Sequence, residues 1–193
     1  MKRLSLYLFL LFFTLQAPSL ADDIRDFQIE GMSIGDSTLD FFSEEEIKNN
    51  LKLQYFPYIK DKKFILAEFY KFPFFQTYDS LQIIFKTNDK KYEIYGISGL
   101  MFYEKNINDC YKKMDEIAEE LSESFINAER NDFQFKKHRA DKSGKSTYSG
   151  IGFFLKPGIA SIHCYDWSKD MSYTDNLRIN LKTQELNNWI RGK

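Results

Sequence analysis

The sequence predicts an α+β fold, an antiparallel sheet with helices packed on one face. Three observations carry this expectation. Short runs of alternating apolar and polar residues occur in groups separated by turns, the mark of strands joined as hairpins. One long segment, residues 106–127, repeats apolar residues every three to four positions, the mark of an amphipathic helix. No regular strand–helix alternation is present, which argues against a parallel sheet. The resulting order is roughly α-βββ-α-βββ-α, and its two α-βββ halves hint at a duplicated unit.

The chain begins MKRLSLYLFLLFFTLQAPSLA. Lys2 and Arg3 precede an apolar run, and Ser19 and Ala21 place small residues where a signal peptidase reads them. Residues 1–21 are therefore read as a signal peptide cleaved after Ala21. The apolar run is short for a membrane span of about 20 residues, so no stable span is expected after cleavage. Residues 22–193 remain as a single α+β domain, long enough to bury a core. Losing Lys2 and Arg3 makes the formal charge of −1 two units more negative. Interspersed charges of both signs describe a solvated surface, without the basic footprint of a nucleic-acid binder.

Residues 22–30 read as an extended lead-in. Ser33 or Asp36 is suited to cap a short helical pattern bearing Leu39, Phe41 and Phe42. Ser43-Glu44-Glu45-Glu46 reads as a capping box that opens a helical turn through Ile47 and Leu51. Acids in that first turn suit the helix dipole. Residues 64–70 read as a strand, and the aromatic loop KFPFFQTYD follows. Residues 81–86 and 92–103 read as a hairpin, with Gly96 and Gly99 suggesting a bulge in the second strand. Asn106 caps the long helix, whose inward face holds Ile107, Cys110, Tyr111, Met114, Ile117, Ala118, Leu121 and Phe125. Residues 129–146 read as a polar loop. Residues 149–155 read as a strand, Pro157-Gly158 as a turn, and residues 159–167 as the next strand. Leu177, Ile179 and Leu181 mark a further strand. Thr183 is positioned to cap a last helix carrying Leu186, Trp189 and Ile190.

Cys110 and Cys164 are the two cysteines. Export makes a disulfide between them feasible. Cys110 falls on the apolar helix face, and Cys164 alternates with Ala160 and Ile162 on one side of a strand. The bridge would clip helix to sheet and contribute up to about 4 kcal/mol in the chain-entropy account. Two distant cysteines and two histidines lack metal-ligand spacing, so no metal or other cofactor is expected. Asp166, Asp170 and Asp175 share one loop but lack the spacing of an EF-hand.

Gly35-Asp36-Ser37 resembles the nucleophile block of the GDSL-type esterases. That family pairs its serine with Asp-x-x-His near the C-terminus. Here Ala160 stands three residues before His163 and Phe135 three before His138. The expectation is therefore that Ser37 serves a helix start, with no catalytic residue assigned. A secreted serine hydrolase using Ser37 is the alternative. Gly144-Lys145-Ser146 resembles the end of a phosphate loop, but Arg139 occupies the required glycine position and a strand follows. His163, Tyr165 and Trp167 alternate on the side opposite Cys164. Phe72, Phe74, Phe75 and Tyr78 surround Pro73 and offer a candidate binding surface, or else fold back as a cap on the core.

GMSIGDSTLDFFSEEEI, YKKMDEIAEELSESF, DKSGKSTY and HCYDWS resemble stretches of small exported proteins of unassigned function from AT-rich marine alphaproteobacteria. That resemblance implies a periplasmic address and no activity. The Gly-Met-Ser segment before a helical pair and three strands is also similar to outer-membrane-assembly lipoproteins of the SmpA/OmlA type. The chain departs from them by its length and by lacking the lipobox cysteine. The functional expectation is a soluble periplasmic or secreted binding module without catalysis. Its partner would be an envelope protein or a small ligand. An outer-membrane-associated structural accessory is a further alternative.

Overall fold

The computed structural model describes residues 23–53, 55–56 and 59–192. Residues 1–21, expected from the sequence to be a signal peptide, lie outside the described residues. One antiparallel sheet holds seven strands: β1 (Phe64–Tyr70), β2 (Ser80–Lys86), β3 (Gly96–Phe102), β4 (Glu129–Lys137), β5 (Thr147–Phe154), β6 (Gly158–Asp166) and β7 (Asn176–Thr183). Their spatial order is β1-β2-β3-β7-β6-β5-β4. Two meanders thus meet where their last strands, β3 and β7, pair antiparallel.

The helices are α1 (Glu44–Asn49), α2 (Ile107–Ser124) and α3 (Gln184–Arg191). Ser43 and Glu46 form the expected reciprocal cap of α1, and Glu46 is held below the usual carboxylate range by bonds from Ser43. Asn106 caps α2 and Thr183 caps α3 through their side chains. α2 buries Cys110, Met114 and Ala118 against the first face of the sheet. Ile47 of α1 and Ile24, Ile29 and Met32 of the lead-in join the same core. Cys110 and Cys164 form a disulfide with Cα atoms 6.0 Å apart, fastening α2 to β6. α3 takes the opposite face, where Leu186 and Trp189 cover Phe64, Leu66 and Ile84.

The structure departs from the sequence expectations at five places. The helices do not share one face of the sheet: α2 covers one and α3 the other, because the apolar Phe64, Leu66 and Ile84 leave the second face something to bury. Residues 129–137 form strand β4 instead of a polar loop, so the second half holds four strands. Phe133 is its only half-buried residue, because β4 is an edge strand with little to bury. β3 keeps unbroken register with β2 and β7, so Gly96 and Gly99 mark no bulge. They admit close neighbours instead: a β-carbon at Gly99 would lie 2.5 Å from the Tyr78 ring, and one at Gly96 2.5 Å from Leu186. The pattern before α1 is a single 3-10 turn, Thr38–Asp40, capped by Ser37 rather than by Ser33 or Asp36. The lead-in is not simply extended, since Ile24–Asp26 forms another such turn.

Candidate ligand groove on the open face of the sheet

Residues alternate across the sheet, so register alone lists the second face. One row crosses all seven strands: Glu68, Gln82, Ser98, Asn180, Ser161, Gly152 and Asn131. Its side chains bond along the row. Gln82 Nε2 donates to Glu68 at 2.6 Å, Ser98 Oγ donates to Asn180 Oδ1 at 2.9 Å, and Asn180 Nδ2 donates to Ser161 Oγ at 3.3 Å. The polar row is therefore satisfied internally in its first five members, as burial demands.

On one side of this row lies Lys182, paired with Gly96 and Ile159 beneath α3. On the other lie Arg178, His163, Gly150 and Phe133, aligned strand by strand. Tyr165 and Tyr148 pair in the row beyond. α3 lies along β6 and β7, and its Leu186 and Trp189 reach over Leu66 and Ile84 of the first flanking row and Phe64 beyond it. Toward β4 the face stays open.

The opening is a groove of about 450 Å³, within the usual range for small-ligand sites. Gly152 forms part of its floor, and a β-carbon there would meet only ordinary contacts, 3.7 Å from Phe154 and 3.8 Å from the Asn131 carbonyl. At Gly150 the space is already filled. A β-carbon would fall 2.2 Å from Cδ2 of His163, so the missing side chain lets the imidazole lie against the backbone. Phe133 and Tyr148 form one wall, and Asn187, Ile190 and Arg191 of α3 form the other.

Among the described residues the lining carries Lys136, Arg139, Lys182 and Arg191 but no aspartate or glutamate. Among the described residues none of these four makes a salt bridge. Lys182 is half-buried. Burial first, then Arg178 and Arg191, pull its ammonium down to about 8. Arg178 donates through Nη1 to the Tyr55 hydroxyl at 2.8 Å and lies 5.1 Å from the Tyr165 ring centre, while its buried Nε has no acceptor. Burial, with Lys182 and Arg178, pushes His163 down to about 3, so its ring is neutral at ordinary pH. Its Nδ1 is 3.2 Å from the Tyr165 hydroxyl, which burial pushes up to about 12. His138 lies edge-on to Trp167 at 4.4 Å and is also shifted down by burial.

Ser37 lies elsewhere. Its Oγ donates to the Lys91 carbonyl at 2.6 Å and accepts from Leu39 N at 3.2 Å. Both roles of the hydroxyl are thus taken by backbone groups, and neither His138 nor His163 is among its partners. Phe72, Phe75 and Tyr78 are half-buried against the first core, and Phe74 is 39% exposed. Phe42 gathers the loop, touching Phe72 edge-on at 4.9 Å and Phe74 at 5.3 Å. Glu30 pins it further by accepting from the backbone N–H groups of Gln76, Thr77 and Tyr78. Lys145 of the phosphate-loop-like segment pairs with Asp170 at 3.3 Å, and Asp175 accepts from Trp167 N at 2.7 Å. Among the described residues no group of three His, Cys, Asp or Glu side chains is placed to hold a metal ion. Among them, too, no helix is long and apolar enough to cross a membrane.

The sequence reading found His163 and Tyr165 but not Lys182, Arg178 or Gly152. Alternation puts Arg178, Asn180 and Lys182 on one side of β7, a signal visible in the sequence as RINLK. Nothing local shows that β6, β5 and α3 bring aromatic and cationic groups alongside them.

No protein-family model, curated protein or solved structure matches the chain.

Proposed function

We propose that this protein is a non-catalytic binding module of the cell envelope, periplasmic or secreted, with its ligand seat in the groove on the open sheet face. One observation carries the reading. Among the described residues, cations line a cavity that holds no acid, and the half-buried Lys182 has no ionic partner there. Uncompensated charge at a partly desolvated site costs stability unless a ligand supplies the counter-charge. The envelope address rests on the leader-like first residues and on the disulfide, which persists in oxidising compartments. The absence of catalysis rests on Ser37, whose hydroxyl is engaged by backbone, and on His163, whose pair is a tyrosine hydroxyl and not a carboxylate.

The seat is tested by thermal-shift screening of the mature chain against an organic-ligand library, beside Gly152→Leu. The leucine would project into the groove from a position with room for its β-carbon. Hits that raise the melting temperature of the wild type and lose that effect in Gly152→Leu are expected. Hits that stabilise both proteins equally would move the seat elsewhere. Hydrolysis of p-nitrophenyl acetate that vanishes in Ser37→Ala would replace this reading with the hydrolase one.

A further inference from the structure

The chemistry of the occupant can be narrowed, on the premise that the groove is a ligand seat. The charge pattern comes first. Lys182 and Arg191 both line the groove, and Arg191, with Arg178 across the polar row, opposes the protonation of Lys182. An anion placed there relieves repulsion among them as well as pairing with the ammonium.

The second constraint limits how much charge the ligand carries. Ile190 and Arg191 bring the C-terminal turn of α3 to the groove wall. The carbonyl end of a helix carries partial negative charge, which opposes a dianion more than a monoanion. A phosphomonoester is thus a poorer fit than a carboxylate. Among the described residues no helix N-terminus, where phosphate groups usually sit, lines the groove, which is built from strand faces, the loop residues His138 and Arg139 and this helix end.

The third constraint is the body of the ligand. Phe133, Phe154 and Ile190 present apolar surface along the groove, and Asn131, Ser161 and Asn187 add neutral polar groups. A volume of about 450 Å³ accommodates a molecule of one or two rings. We propose that the groove binds a small organic monocarboxylate with a ring-sized apolar body, its carboxylate on Lys182 and its body along Phe133, Phe154 and Ile190.

Isothermal titration of the mature protein near neutral pH with 2-naphthoate, 2-naphthamide and 2-naphthyl phosphate separates the terms. The naphthoate is expected to bind about ten-fold or more tightly than the neutral amide, the value of a charge-assisted hydrogen bond. Lys182→Met keeps the apolar stem and should bring the naphthoate down to the amide's affinity. Gly152→Leu should abolish binding of both. Circular dichroism and melting curves verify that each variant folds. An amide that binds as tightly as the acid, or a phosphate that binds more tightly, overturns the monocarboxylate while the seat stands, provided Gly152→Leu still blocks it. Binding heat that persists in Gly152→Leu, or none from any of the three probes, overturns the seat as well.

Discussion

His163 rests against Gly150 and meets Phe133 at a ring separation of 5.6 Å, with Arg178 and Lys182 nearby. Its surroundings tolerate the neutral imidazole and resist the charged one. The unfolded chain takes up this proton near pH 6.5, whereas the folded chain resists it down to about 3. As pH falls through that window the unfolded state therefore binds the extra proton, and stability drops. His138, shifted the same way, adds to the effect. Asp141 acts lower down. Bonds from Ser143 and Ser146 hold its carboxyl far below the usual range, so its contribution disappears only as pH falls below its ordinary 3.8. The urea midpoint should decrease between about pH 7 and pH 4. His163→Gln should flatten that decrease, and an unchanged slope would remove His163 as its cause. At Ser37 the role as a cap was legible because a serine beside Asp36 at the start of an apolar pattern suits free N–H groups. The bond to the Lys91 carbonyl was not, since it joins residues 54 positions apart.

At the scale of elements, α2 and α3 were legible because each has a capping side chain and an apolar stripe. β4 was not. Its sequence, ERNDFQFKK, shows little alternation because an edge strand has one partner and few buried positions. Charge along such an edge also discourages pairing with other chains. The connection from β4 to β5 has its own anchor. Asp141 is buried and accepts from Ser146 N at 2.8 Å, Ser146 Oγ at 2.6 Å and Ser143 N at 2.8 Å. Ser168 Oγ, from the far side of β6, donates to the same carboxylate at 2.9 Å. Asp141→Ala strands those donors and should cost about 3 kcal/mol in urea denaturation, near the upper figure for leaving buried groups unpaired. A loss below about 0.5 kcal/mol, the size of an ordinary surface change, would show that the turn holds itself together without the carboxylate. The SGKST segment is part of this turn, which accounts for its serines without a nucleotide.

Across the whole molecule, the β3–β7 pairing joins the two meanders into one sheet, and both helices that flank it contact β6 and β7. Trp189 packs on Phe56 and Phe64 at the β1 side, while Trp167 packs on Tyr165, Tyr173 and His138 at the β4 side. Trp167→Phe and Trp189→Phe each leave one fluorescent reporter. A sheet that unfolds as one unit gives each variant a fluorescence midpoint equal to its own circular-dichroism midpoint. Fluorescence that leads or trails the loss of secondary structure would show that the meanders melt separately. The sequence by itself determined the three helices, six of the seven strands and the facing of Cys110 and Cys164, because these depend on periods of 2 and 3.6 within one segment. Only the tertiary structure decided that Asn180 aligns with Ser98 and Ser161, that α3 crosses to the second face, and that Lys182 and Arg191 line one groove. Those outcomes depend on register and docking between segments far apart in the chain, and a local pattern carries no information about which distant partner will lie beside it.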